Sequence, residues 1–141
     1  MTGFSYDSHN AKEFIAHMAD DKSILLDIKK QLGYDETFDP TSPFDSEIIM
    51  HINGSLAKLT QVGVGPKAGF RVTDDKQKWS DFLTGPYDEM NTMVQEYVFC
   101  KTKLAFDPPA SSAAVESLKG LAEEDIWRIR EKAEGAIDDA E

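Results

Sequence analysis

Apolar residues recur at three- or four-residue spacing in five separate segments of the chain, and this periodicity limits the possible folds more than any other feature. The pattern is typical of amphipathic helices, each of which must bury its apolar face against another element. One Gly-rich stretch, residues 63–75, interrupts the series. The sequence therefore predicts an all-α fold: a small helical bundle of four to five helices, with one Gly-rich loop or short extended segment and a C-terminal helical arm.

Capping residues and prolines mark the predicted helix ends. Ser42 followed by Pro43 is a typical helix start. Two consecutive prolines, Pro108 and Pro109, must end a long helix, because they remove two amide donors. Thr73 or Asp74 can cap a short helix around residues 79–83. The other predicted helices cover residues 10–19, 23–32, 43–62, 86–106 and a final stretch from Ser111 or Ser112.

These boundaries divide the chain into three parts. An N-terminal extension, residues 1–19, contains one short helix. A helical core follows over residues 20–106, with a projecting loop at 63–75. The C-terminal helical arm takes residues 107–141. Its predicted hinge is Asp107, Pro108 and Pro109, because a double proline fixes the direction in which a helix leaves the core.

The charge of the chain excludes several kinds of partner. It carries 26 Asp and Glu against 15 Lys and Arg, a formal net charge of -11. Tight binding of DNA or of an anionic membrane is not expected, because no broad basic surface is available to neutralise phosphates. No apolar stretch approaches the roughly 18 residues of a transmembrane helix, and the first twenty residues lack a secretory pattern. The single cysteine fits a reducing cytoplasm.

No residue pattern indicates catalysis, a metal site or a cofactor. Residues 63–68 match a loose dinucleotide fingerprint, but a helix precedes them and a proline occupies the phosphate turn. Glu47 and His51 lie one helical turn apart without a third ligand, which favours a surface pair. Cys100 falls on an apolar helix face and is interpreted as a small buried hydrophobe. We therefore expect neither an enzyme nor a bound cofactor.

The Gly-rich segment is the first candidate interaction element. Its three glycines permit backbone shapes that other residues resist, and loops of this length are often functional. We expect it to project and to contact another chain. Its candidate contact residues are Val64, Pro66, Lys67, Phe70 and Arg71.

The final helix is the second candidate. Residues 116–141 contain nine acids and four bases, about five net negative charges. Two interpretations stay open: a solvated helix hairpinned onto the core, or an arm that docks on another chain. The candidate arm contacts are Leu118, Leu121, Ile126, Trp127, Ile129 and Arg130.

Three stretches of the sequence occur in the order found in one known family. They are FDSEIIMHIN (44–53), LTQVGVGP (59–66) and YVFCKTKLAFDPPASS (97–112), and LAFDPPASSA (104–113) is the most specific part. The chain resembles the small head-tail connector (adaptor) proteins of long-tailed bacteriophages and prophages of Gram-positive bacteria. The similarity covers residues 24–130, whereas the N-terminal extension and the acidic end depart from the family pattern.

The resemblance implies a helical subunit that assembles with itself as a dodecameric ring beneath the portal protein of a filled capsid. Genome DNA would pass through its channel without specific binding. The C-terminal helix would reach toward the portal protein, and the opposite face would receive a stopper or tail-completion protein. The implied location is the virion neck, at the head-tail interface, and the host cytoplasm during assembly, with no membrane contact.

Two other kinds of protein share these features. A stopper or tail-terminator protein of the same assembly would carry more β structure. A small helical regulator that binds a host protein would share the composition but would not form rings with portal protein.

Overall fold

The computed structural model describes residues 21–83 and 88–140, with the backbone alone for 88–89 and 136–140. Over these residues it contains five α-helices, and extended pairing is limited to one isolated bridge between Ser23 and Lys78. The predicted all-α fold is confirmed. The predicted helix at 10–19 lies outside the described residues. The helices are α1 (Ile24–Leu32), α2 (Pro43–Gln61), α3 (Trp79–Phe82), α4 (Asp88–Phe106) and α5 (Ser112–Ala140).

Serine side chains cap the first two helices, and the Ser42 cap of α2 is the one that the sequence predicts. The Ser23 side chain accepts a backbone hydrogen bond from the first turn of α1. Gly33 closes that helix with a φ of 92°, a left-handed conformation that glycine adopts without strain from a Cβ atom. Ser42 Oγ accepts the Asp45 N–H at 3.4 Å, and Pro43 occupies the first turn of α2. Local capping chemistry therefore sets these boundaries.

The short helix α3 begins several residues after Thr73 and Asp74, the residues predicted to cap it. Thr73 and Asp74 are the caps that the sequence suggests, but α3 begins at Trp79 with Lys78 as its N-cap. That prediction is wrong. The N–H groups of Thr73 and Asp74 donate instead to Gln77 Oε1, at 2.9 and 3.0 Å. A side chain three or four residues ahead thus takes both donors and holds the backbone in a turn.

Helix α4 lies at the centre of the bundle, in contact with α1, α2 and α5. Its 19 residues give a length of about 28 Å. The neighbouring helices can bury their apolar faces against it because its own apolar residues lie on more than one side. The buried residues of α4 include Met90, Val94, Tyr97, Val98 and Cys100.

Buried polar groups fix α1 to the segments around it. Trp79 Nε1 donates to Asp27 Oδ2 at 2.9 Å inside the core. Lys29 Nζ lies 2.7 Å from Asp45 Oδ1 and donates to the Thr37 carbonyl at 2.6 Å. Both side chains of this ion pair are nearly fully buried. Removing one partner of such a pair leaves an uncompensated charge that costs roughly 3–5 kcal/mol, so the pair holds the linker and the start of α2 against α1.

Candidate functional site

The double proline separates α4 from α5. Helix α4 ends one residue before Asp107-Pro108-Pro109, and α5 begins at residue 112. Ser111 Oγ accepts the Ala114 N–H at 3.2 Å and caps the new helix. The predicted break is confirmed. Whether these residues act as a hinge in an assembled particle stays a prediction.

A polar and aromatic cluster holds this turn in place. Asp107 Oδ2 accepts hydrogen bonds from Tyr34 Oη at 2.9 Å and from Lys103 Nζ at 3.1 Å. These bonds, Lys103 contributing most, hold the pKa of the Asp107 carboxyl below its ordinary value, and the same contact raises the pKa of Tyr34. The Tyr34, Phe44 and Phe106 rings pack edge to face, with Phe44 centred 4.8 and 4.9 Å from the other two. The turn is therefore tied to the linker and to α2.

Helix α5 folds back along α4. Its buried face contains Ala122, Asp125, Ile129 and Ala133, at the three- and four-residue spacing of one side of a helix. Within the chain, the final helix is therefore folded back onto the core like a hairpin, which is the first of the two interpretations that the sequence left open. Docking of α5 on another chain stays a prediction.

The predicted arm contacts divide between the two faces of α5. Ile129 is 0% exposed and belongs to the core, so it can contact another protein only if α5 leaves α4. Leu118 and Ile126 are partly buried against the core. Leu121 and Trp127 are 40% and 58% exposed. The surface available to a partner is therefore centred on Trp127.

A groove of about 300 Å³ lies between the end of α2, the second half of α4 and α5. We call it the α2–α4–α5 groove. Its apolar floor is formed by the buried or partly buried residues Val62, Tyr97, Leu104, Ala122 and Ile126. Its rim is formed by the exposed charged residues Lys58, Lys101, Lys119, Glu123 and Arg130. Sequence reasoning found only Ile126 and Arg130, because three helices far apart in sequence supply the rest.

Several side chains anchor the Gly-rich segment to its own chain. Val64 and Val72 are 1% and 0% exposed. The Asn53 side chain bonds to both backbone groups of Val72, accepting its N–H at 2.8 Å and donating to its carbonyl at 2.9 Å. The Phe70 ring lies 5.3 Å from the Phe82 ring. These contacts replace the strand pairing that an extended segment would otherwise need.

Close packing at Gly65 fixes the path of the same segment. Its φ is 94°, and a Cβ atom added there would come within 2.5 Å of the Phe82 ring. Glycine is therefore required for both the conformation and the approach. Beyond it, Pro66 is partly buried and Lys67 and Arg71 are exposed. Contact of these three residues with another chain stays a prediction.

A carboxyl group is buried where α5 meets α4. Asp125 is 6% exposed. Burial, followed by hydrogen bonding to Glu96 and repulsion from Glu96 and Glu124, raises its pKa to about 7. Burial also raises the pKa of the Cys100 thiol to about 11. A thiol with this pKa is not a thiolate at neutral pH, which supports the interpretation of Cys100 as a small hydrophobe.

The structure contains the surface pair that the sequence predicts on α2. His51 Nε2 lies 3.8 Å from Glu47 Oε1, one helical turn away. Across residues 21–83 and 88–140, no group of three or more His, Cys, Asp or Glu side chains is arranged to hold a metal ion. None of the helices in this part of the chain is long and apolar enough to cross a bilayer.

The comparison with known proteins identifies one family. A family model described as "Phage connector protein" matches residues 24–136. The match spans α1 to α4 and most of α5. No curated protein and no solved structure shows a significant match.

Proposed function

This chain belongs to the phage connector protein family, and on that premise we propose that it is a head-tail connector (adaptor) subunit that forms a ring under the portal protein. The family match over residues 24–136 is the observation that carries the proposal. The ring, a dodecamer in this proposal, extends the DNA channel and receives a stopper or tail-completion protein on its other face. A connector of this kind works by assembly and has no active site. The proposed location is the virion neck, reached after assembly in the host cytoplasm.

The charge of the chain supports a channel function. Each subunit carries a formal charge of -11, and a ring multiplies that charge around its axis. A basic lining would hold phosphates and oppose transit, whereas an acidic one repels the DNA backbone. The channel proposal therefore needs no specific DNA contact.

The outer face of α5 supports portal docking. Trp127 and Leu121 are large apolar residues left exposed on a helix whose opposite face is packed. Tryptophan is enriched among the few residues that contribute most of the binding free energy of an interface. The Tyr34, Lys103 and Asp107 contacts hold the turn before α5, so the helix is aimed before it binds.

The exposed part of the Gly-rich segment is the proposed contact with a neighbouring subunit or the tail-side protein. Lys67 and Arg71 present positive charge, and Pro66 lies beside them. The surface of an acidic neighbour would complement these cations. Val64 and Phe70 act through the chain's own core, where they hold the segment in shape.

Co-sedimentation with assembled portal rings tests the docking face. Trp127→Ala should weaken portal binding by roughly thirtyfold, about 2 kcal/mol, while the thermal unfolding midpoint changes little. Met50→Ala is the matched control, because Met50 is 59% exposed and lies on a different helix, α2. Equal portal binding by wild type and Trp127→Ala would remove this face from the mechanism. A point substitution is preferable to deleting α5, which supplies Ile129 to the core.

The fold and the same assay separate the alternatives. A stopper or tail terminator is expected to carry more β structure, whereas the described segments are helical apart from loops and one isolated bridge. A small host-binding regulator would bind no portal ring at all. Ring formation on portal protein, seen by electron microscopy, is therefore the deciding observation for the connector proposal.

A further inference from the structure

We propose that the α2–α4–α5 groove binds the acidic end of α5, residues 131–141, of a second copy of this chain. The groove is assembled from parts of three helices, and its lining has a net positive charge although the chain as a whole is acidic. The contact would join neighbouring subunits. The contact is argued from the groove and the acidic end alone. Only its place in a connector ring rests on the proposed function.

The rim of the groove concentrates unmatched positive charge. Lys58, Lys101 and Arg130 are exposed, and within the described residues none of them has an ion-pair partner. Lys119 adds a fourth cation, although it lies 3.6 Å from Glu116 on its own helix. Four bases and one acid line the groove of a chain whose net charge is -11. An acidic occupant would satisfy this charge.

The floor of the groove adds an apolar requirement. Val62, Leu104 and Ile126 are partly buried, and Tyr97 and Ala122 close the base. A free anion gains nothing from such a floor, whereas a peptide segment can cover it with an apolar side chain. The groove therefore fits an acidic segment that also carries an apolar residue.

The end of this same chain has that composition. Residues 131–141, EKAEGAIDDAE, contain five acids and one base, with Ile137 among the acids. These acids complement the charge of the rim, and the isoleucine is the apolar residue that the floor requires. Charge complementarity of this kind favours one orientation and suppresses wrong partners.

Helix geometry assigns this segment to a second copy. Arg130 stands at the edge of the groove, and α5 continues as a helix to Ala140. Ten further residues carry the helix about 15 Å past the groove, away from it. The segment cannot return to its own groove without breaking the helix. The groove and the acidic end are different surfaces, so their contact is heterologous, and repetition closes a ring when the rotation fits.

Sedimentation equilibrium of full-length charge-reversed variants tests the contact. The groove variant is Lys58→Glu with Lys101→Glu, and the end variant is Asp138→Lys with Asp139→Lys. Each should weaken self-association by about tenfold or more, and the combined variant should recover most of the loss because attraction is restored with signs exchanged. The matched control, Lys30→Glu with Lys76→Glu, changes the charge equally at exposed sites outside the groove. It should change self-association by less than about twofold.

A labelled peptide of residues 131–141 gives a second measurement. It should bind the full-length end variant, whose groove is intact, and bind the groove variant about tenfold more weakly. The proposal is overturned if the groove variant behaves like the control, or if the combined variant shows no recovery. It is also overturned if the wild type neither self-associates nor binds the peptide at millimolar concentration. Displacement of the peptide by a short DNA duplex at low micromolar concentration would identify a nucleic-acid site instead.

These outcomes are distinguishable from failure of the proposed function. Rings on portal protein that form equally well from wild type and groove variant would overturn the contact and leave the connector function standing. A groove contact in a protein that never joins portal rings would overturn the connector function and leave the contact standing.

Discussion

At the scale of single residues, Asp125 links the packing of α5 to pH. Its carboxyl lies against α4, near Glu96 and Cys100, with Glu124 and Arg128 on its own helix. Its pKa in the folded chain is about 7, well above that of an ordinary aspartate. The folded state therefore holds a proton that the unfolded state releases, and stability falls as pH rises from about 4 through 7.

We expect Asp125→Asn to remove this loss, because the amide keeps the shape and cannot ionise. Between pH 5.5 and 8, the free energy of unfolding should fall in both proteins, and the fall should be smaller in Asp125→Asn by about 1–2 kcal/mol. Glu96 is partly exposed, so water near it weakens the effect and limits this difference. Urea denaturation at the two pH values measures it. Glu36→Gln is the control, since it removes a carboxylate from an exposed site that does not act on the pKa of Asp125. An unchanged pH dependence in Asp125→Asn would contradict the assignment.

The buried ion pair of Lys29 and Asp45 gives a second residue-scale prediction. Asp45→Asn should destabilise the chain by roughly 3–5 kcal/mol, because it leaves Lys29 charged and buried. The double variant Lys29→Met with Asp45→Leu should lose much less, since no charge remains unpaired. Chemical denaturation gives both values. If both variants lost the same free energy of unfolding, the prediction would be contradicted, and the geometry of the pair would matter more than its charge.

At the scale of elements, the turn between α4 and α5 depends on side chains from elsewhere in the chain. Tyr34→Phe keeps the ring contacts with Phe44 and Phe106 but removes the hydroxyl that donates to Asp107. The pKa of Asp107 should rise toward its ordinary value, and amides of the turn should exchange faster with solvent. Lys103→Met should raise that pKa further, because the lysine contributes most. NMR titration of the Asp107 carboxyl measures both, and no change in Tyr34→Phe would contradict the prediction.

Helix boundaries were predictable where local chemistry decides them. Ser42-Pro43 and Pro108-Pro109 act through the residues beside them, so the start of α2 and the end of α4 follow from the sequence. The start of α3 was mispredicted because the Gln77 side chain takes the donors of Thr73 and Asp74. The sequence placed Ile129 and Trp127 together among the candidate arm contacts, but only packing against α4 distinguishes Ile129, which is buried, from Trp127, which is exposed. The groove depends on contacts between distant helices, which local patterns cannot supply.

At the scale of the whole molecule, the charge of -11 opposes compact folding. Like charges repel over the Debye length, about 30 Å at 10 mM salt and 8 Å at physiological salt. We expect sodium chloride added from about 10 to 150 mM to raise the thermal unfolding midpoint. Sucrose at matched osmolality is the control for general exclusion effects. A midpoint that falls with salt would show that local ion pairs outweigh the net repulsion.

The two faces of α5 differ in their surroundings: one packs against the core and the other faces solvent. Ile129 and Trp127 are two positions apart, yet one side chain is enclosed by the fold and the other lies in solvent. A substitution at the outer position changes the solvent-facing surface of the helix without disturbing the packing on α4. Under the docking proposal, the residues that choose the partner are therefore separate from those that hold the fold, and a change of neck partner requires substitutions on the outer face alone.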